Sequence, residues 1–408
     1  MARRPTAIVA VTCALAAAAA AVRAGDPPTG TWEVVGHLPE GRYALAAIRL
    51  RGGRVLLAGG YSFEADRTHA TTLLFDPRDR RLAPGPALAV DRNFAVPVVL
   101  PGGDHLLIAG FCRGSGTTAA VEWIGARARR HRLQANLREP RELFTATRLP
   151  DGRILVTGGY DTHRRQTLAT AELYDPATGR SEPLPPLRHR RFGHDAVLLP
   201  DGRVLIAGGK AIPGEIVTDE VELFDPARRE FRLARGRLPE GRDRLTLTPI
   251  RRGRRILVAG GLNPAVPPDR LRRCFWFDPA TETFAPGPEL AVGRMAHVAT
   301  PLPDGSILFT GGWNAALRRT VWEAERYDPR RDAMLSAGRM AVGRHDHVAI
   351  PVRGGVLVAG GKRAEGNRGD SPTEIEWYTP PGASCEPPRA GPFAPGVKGS
   401  HPENYDVE

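Results

Sequence analysis

Lysine is nearly missing from this chain. Lys210, Lys362 and Lys398 are the only three in 408 residues, and arginine makes up the rest of the 57 basic residues. Aromatic residues are only 6%, and no ladder of them is interleaved with basic residues. That argues against nucleic acid as a partner. The net charge is +12, and it falls to about +9 once Arg3, Arg4 and Arg23 are set aside, which leaves a weak attraction to anions. Cysteine is as sparse: Cys13, Cys112, Cys274 and Cys385. Three remain after the N-terminal segment, and three cannot all pair. A disulfide scaffold is thereby excluded, although one bridge among them stays open. No phosphate-cradling glycine loop and no nucleophile–base signature is present.

Long apolar runs are also missing, except at the start. Arg3 and Arg4 precede an uncharged, alanine-rich stretch from Thr6 to Val22, closed by Val22-Arg23-Ala24. This predicts a signal peptide over 1–24 and a secreted or periplasmic protein; an uncleaved membrane anchor is the alternative. Cys13 lacks the small residues that precede a lipoprotein cysteine. No later segment is apolar enough to span a bilayer, and a monomer is expected.

What the chain does have is a period. Seven apolar runs end in a small-residue pair: RVLLAGG, HLLIAGF, RILVTGG, RVLIAGG, RILVAGG, SILFTGG and GVLVAGG. Their first glycines are Gly59, Gly110, Gly158, Gly208, Gly260, Gly311 and Gly360, so the spacing stays between 48 and 52 residues. A fixed period near fifty built of short strands means radial repetition of a small sheet. A unit opens with a strand, turns tightly, in six of the seven at Asp-Gly (Asp151, Asp201, Asp304) or Gly-Gly (Gly52, Gly102, Gly354), and continues into the apolar run. Asp-Gly between apolar runs is the strongest short hairpin signal. A longer loop follows, then a third strand broken by Asp-Pro at Asp76, Asp175, Asp225, Asp278 and Asp328, then an outer fourth strand.

The pattern R-x-x-H…LPDGR-x-L-x-x-GG…E-x-Y/F-DP resembles the kelch repeat in its secreted bacterial form, over residues 31 to about 380. The resemblance implies an all-β, seven-bladed β-propeller of four-stranded antiparallel blades, spanning 25–380; residues 381–408, rich in Pro and Gly and without periodicity, are expected to be a disordered tail. Blade two departs, with Phe111 for the second glycine and Ile124-Gly125 for Asp-Pro. The seventh repeat has only three strands, at about 347–352, 356–359 and 374–378. Thr31-Trp32-Glu33-Val34-Val35 reads as its missing fourth, closing an edge that would otherwise invite aggregation.

Strand order puts the tight turns on one face and the variable loops and blade connections on the other, where a ligand site belongs. Each connection carries an arginine (Arg42, Arg92, Arg141, Arg191, Arg242, Arg294, Arg344), read as scaffold paired with backbone or carboxylates. His194, His297 and His347 share one repeat position and so ring an axis instead of converging on a metal; none is expected. The residues after each arginine differ between blades: Tyr43, Asn93, Glu142, Phe192, Asp243 with Arg244, Met295, and His345 with Asp346. They are the candidate ligand-binding set at the channel mouth, suited to a glycan or a peptide. Tyr61, Phe63, His69, Tyr160, Asp161, His163, Trp313 and Asn314 in the long loops are further candidates. Basic clusters at Arg127–Arg132, Arg251–Arg255 and Arg330-Arg331 fall on the tight-turn face and read as solvated turns, with docking to an anionic surface as the alternative.

The favoured function is an exported, non-catalytic recognition module without a cofactor. Two enzymatic alternatives rest on the same resemblance. Copper radical oxidases similar to galactose oxidase use two Tyr and two His, one Tyr crosslinked to Cys and the other followed by a ligand His. None of the seven tyrosines here (43, 61, 160, 174, 327, 378, 405) precedes a His, and Tyr174, Tyr327 and Tyr378 fall on third-strand core positions. Exported kelch sugar mutarotases or epimerases need only positioned acids and bases, which Glu142, Asp243, His345 or Asp346 could supply.

Overall fold

The computed structural model describes residues 29–382 apart from 213, 215, 268, 269 and 367. The expected signal peptide, nearly all of the expected tail, Cys13 and Cys385 lie outside the described residues. Every regular element there is a strand or a single turn of 3₁₀ helix. None is a helix long and apolar enough to cross a membrane.

Seven radial four-stranded antiparallel sheets follow one plan among the described residues. In blade four the strands are Asp195–Leu198, Val204–Ala207, Glu222–Asp225 and Glu230–Leu233, paired in that order. The innermost strands of successive blades touch in sequence, and that of blade seven (Val348–Val352) touches that of blade one (Ala46–Arg49), which closes the circle. The chain is an all-β propeller. Closure is made by the N-terminal segment, Thr31–His37, which pairs antiparallel with Glu374–Thr379 from Thr31↔Thr379 to His37↔Glu374. Trp32 fastens it further: its indole Nε1 donates to the Ala337 carbonyl of blade six at 2.8 Å, and its ring lies 5.0 Å from that of Tyr378.

The core explains why the second strands are apolar throughout. Successive strand residues point to opposite faces, and each sheet is sandwiched between two others. Val55 and Leu57 pack with Val348, Ile350 and Leu357 of blade seven, whereas Leu56 and Ala58 pack with Ala95 and Leu107 of blade two. Similar two-blade clusters repeat around the ring. The glycine pair has a matching cause. At Gly311, φ is +57°, and a Cβ would stand 2.2 Å from the Arg344 carbonyl and 2.5 Å from the His347 ring. Blade two corrects the sequence reading: Ala109 (φ +50°) and Gly110 hold the places of the glycine pair, and Phe111 follows them as Tyr61 follows Gly60, with the second and third strands, His105–Cys112 and Gly116–Ile124, running on past that point as one hairpin. In blades one, three and four the loop breaks and restarts as a small outlying hairpin, such as Tyr160–Asp161 with Gln166–Thr167, and the outlying hairpins of blades six and seven join through Arg319↔Glu365. Cys112 and Cys274 are buried free thiols, so neither takes part in the bridge that the sequence left open.

Candidate functional site

The seven connection arginines are scaffold, and the structure supplies their partners. Each donates Nη1 to the carbonyl at the end of its own second strand (2.6–3.3 Å). The same nitrogen reaches a carbonyl at the start of the third strand (2.9–3.3 Å). In five blades Nη2 meets a third-strand glutamate: Glu122, Glu172, Glu222, Glu325 or Glu376, at 2.6–3.4 Å. Those carboxylates also accept backbone N–H groups from the incoming connection, such as Ala291 to Glu325 at 2.6 Å. Blade one has Leu73 at this position and uses Thr71 Oγ1. Blade five has Phe275, and there Arg242 turns to Glu240 at 2.7 Å with the Phe275 ring 5.2 Å away. The glutamates are legible as the E of E-x-Y/F-DP, but the pattern alone does not say what they hold.

The three equivalent histidines do not converge. Each reaches the preceding blade's inner strands: His194 Nε2 to Thr145 and Thr157 hydroxyls (3.1 and 3.2 Å), His297 to Thr246 (3.0 Å), His347 to Thr310 (2.8 Å). Burial drives His347 well below the ordinary imidazole range.

One residue past each arginine, the variable set forms a ring. Tyr43, Asn93, Glu142, Phe192, Asp243, Met295 and His345 each make a lone antiparallel bridge to the residue after the small-residue pair: Tyr61, Phe111, Tyr160, Lys210, Leu262, Trp313 and Lys362. There are thus two concentric rings with one backbone register and different side chains in every blade. The inner ring sits deeper than a channel mouth. Of the nine residues expected there, including Arg244 and Asp346, only Met295 is more than 9% exposed. The outer ring is more open, with Phe111, Tyr160, Leu262, Trp313 and Lys362 partly exposed. Sequence reasoning reached Tyr61, Tyr160 and Trp313 but missed Phe111, Lys210, Leu262 and Lys362. Their signal is simply to follow the glycine pair.

Two residues past each arginine lies a third feature. Ala44, Phe94, Leu143, Gly193, Arg244, Ala296 and Asp346 all have φ between +50° and +65°. They face one another around the axis, and six of the seven steps carry a backbone hydrogen bond, for example Phe94 N–H to the Ala44 carbonyl (2.9 Å) and Arg244 N–H to that of Gly193 (2.7 Å). Left-handed geometry costs an ordinary residue on the order of 1 kcal/mol, so the collar persists because the surrounding blades impose it.

On this collar charges gather. Asp346 Oδ2 accepts from His345 Nδ1 at 2.6 Å and lies 3.8 Å from Arg244 Nη1. Asp243 pairs with Lys210 at 3.9 Å. Glu142 is fully buried, and desolvation pushes its carboxyl up to about 8 against the pull of Arg244. Burial likewise lowers the Lys362 ammonium, with Asp346 opposing. His345 is the hub: its ring stands 6.4 Å from Tyr43 and 6.2 Å from Trp313, both edge-on. Beside Trp313, a shallow recess open to solvent lies between blades five and six and is lined by Leu262, Leu271, Met295 and Asn314. Most of the loop candidates are consumed by packing. His69 is buried beside Glu40 (3.5 Å), Asp161 Oδ1 caps the His163 N–H (2.9 Å), and His163 Nε2 bonds the Thr117 carbonyl (2.8 Å).

Comparison with known proteins agrees with this architecture. The Kelch motif family matches residues 146–188. No curated protein matches the chain. Among solved structures, the chain is similar to a novel fungal alcohol oxidase with catalytic diversity among the AA5 family, in complex with copper. The identity is 16%, over 87% of this chain and 77% of that one, with a TM-score of 0.70. At that identity the likeness is one of fold.

Proposed function

We propose that the chain is a recognition module that holds a polar ligand, a glycan or a peptide, over the centre of its variable face without transforming it. One observation carries this reading: two rings share a single backbone geometry while their side chains change from blade to blade. A uniform scaffold displaying a non-uniform set of Tyr, Trp, Lys, Asn and His is what selective binding needs. The buried charges form the floor, and Trp313, Lys362, Tyr160 and the cleft beside Met295 form the contact surface. A glycan and peptide array read on the wild type and on Trp313→Ala/Lys362→Ala tests it. Retained binding by the double variant refutes this placement. The N-terminal reading of 1–24 as a signal makes the module an exported one, acting as a monomer; N-terminal sequencing and light scattering of the protein secreted by its host test both.

A copper centre like that of the oxidase does not fit this donor set. The inner ring offers one tyrosine and one histidine, and Tyr43 is walled in by Phe63 and Phe94. Tyr61 gives its hydroxyl to Asp66 at 2.5 Å, and Cys112 Sγ donates to the Asp91 carbonyl. Among the described residues no group of three or more His, Cys, Asp or Glu could hold a metal.

A second reading is favoured by the His345–Asp346 pair. With Nδ1 held by the carboxylate and a tenth of the side chain open to solvent, Nε2 is left to exchange a proton with a bound sugar. A proton-exchange assay on free sugars separates the two. Turnover that His345→Gln abolishes supports the enzyme; binding without turnover supports the module.

A further inference from the structure

We propose that the tight-turn face of blades one and two docks a carboxylated polysaccharide through Arg51, Arg54, Arg127, Arg129 and Arg130. In three turns of this face an arginine is held by an acid of the same turn. Arg153 Nε bonds Asp151 at 2.8 Å, Arg203 Nε bonds Asp201 at 2.8 Å, and Arg78 bonds Asp76 at 2.7 Å. Blade one replaces Asp-Gly by Gly52-Gly53, so Arg51 and Arg54 have no such partner. With Glu122 equivalent to Glu172, Asp-Pro is replaced in blade two by Gly125-Ala126, one residue later than the sequence reading placed it, which removes the acid from the turn carrying Arg127, Arg129 and Arg130. Among the described residues these five make no salt bridge. Arg54 adds to the lowering of the Asp76 carboxyl, which Arg78 already holds.

The two turns are joined, because Arg51 N–H donates to the Ala126 carbonyl at 2.7 Å. One carboxylate, Asp104, is bonded into the stretch, and its Oδ1 is spent on the Ala126 N–H (2.8 Å). The surrounding surface is open: a Cβ on Gly52, Gly53 or Gly102 would meet nothing within 4 Å. Four of the five arginines are exposed and Arg54 is half-buried. Of the sequence-read cluster, Arg132 is excluded because it lies over Trp123 at 5.1 Å.

The chemistry of the patch selects its partner. A planar guanidinium takes a carboxylate bidentately, and several on one flat surface reward a chain bearing carboxylates at intervals. Among the described residues the exposed large apolar ones are Val34, Leu133, Ile216, Leu233 and Leu317, none of them in these turns, so nothing there would enter a bilayer. The aromatic in reach, Trp123, is covered by Arg132, so no base could stack.

The test is calorimetric titration with polygalacturonate on the full-length protein. Binding at 50 mM NaCl that weakens at least tenfold by 200 mM is expected. Arg51→Gln/Arg54→Gln/Arg127→Gln should lose a further tenfold at 50 mM with an unchanged melting midpoint. The charge-neutral control Asp151→Asn/Arg153→Gln should change affinity less than twofold. Absence of binding, or equal loss in the control, overturns the proposal. So does duplex DNA, or an anionic phosphatidylglycerol vesicle, held more tightly than polygalacturonate through the same arginines.

Discussion

Replacing Glu325 by leucine is the sharpest test of how the blades are held. Its carboxylate accepts Arg294 Nη2 at 2.6 Å and the Ala291 and Val292 N–H groups at 2.6 and 3.3 Å, with only 5% of the side chain exposed. Leucine copies blade one's Leu73 but leaves a fully buried guanidinium with three carbonyls, those of Val292, Gly311 and Glu323, and no counter-charge. Removing one partner of such a pair costs about 3–5 kcal/mol. Unfolding entropy near 2.1 cal/mol/K per residue over about 350 residues gives ~0.7 kcal/mol per degree, hence a fall of about 4–7 °C in melting midpoint at one scan rate. Blade five supplies the rescue. There Phe275 fills the carboxylate's place and Arg242 uses Glu240, two residues earlier. Adding Val292→Glu to Glu325→Leu should therefore recover about half of the loss. A midpoint that moves less than a degree in the single variant refutes the account, as does a double variant no better than the single.

Other consequences are open to measurement. Gly311→Ala should leave little folded protein, since its Cβ would collide with Arg344 and His347 at a left-handed φ; circular dichroism of the purified variant reads this. Deleting residues 25–36 removes most of the closing strand and should yield insoluble or protease-sensitive material, whereas unchanged melting refutes closure. Glu142 has a pKa raised to about 8 in the fold, above that of the unfolded chain. Between the two values the native state binds the extra proton, so stability falls as pH rises through that window. Glu142→Gln should remove that decline, its midpoint exceeding the wild type's most at pH 8.5 and least near pH 5.

The period, the turns and the closing strand were readable because each rests on a local demand: Asp-Gly for a tight hairpin, a glycine where the next blade's His347 presses, an orphan strand rich enough to pair. The roles of the third-strand glutamates were not, because an alternating strand pattern does not say which polar residue faces an arginine two strands away. The collar left no trace at all. Ala44, Phe94, Leu143, Arg244 and Asp346 share no chemistry, and only Gly193 hints at positive φ. Nor did composition reveal depth. Glu142 and Asp243 read as solvent-facing by type, yet both are buried where the blades converge.

That hoop of peptide groups has a corollary for how the molecule comes apart. In five of the seven blades the link is clasped by those before and after it, so such a blade cannot peel away alone, and amides at Phe94, Arg244 and Asp346 should exchange with deuterium only when the wheel opens. By the same reasoning, gaining or losing one repeat would mean recutting every link at once, while outlying hairpins stay at liberty to lengthen, shrink and diversify.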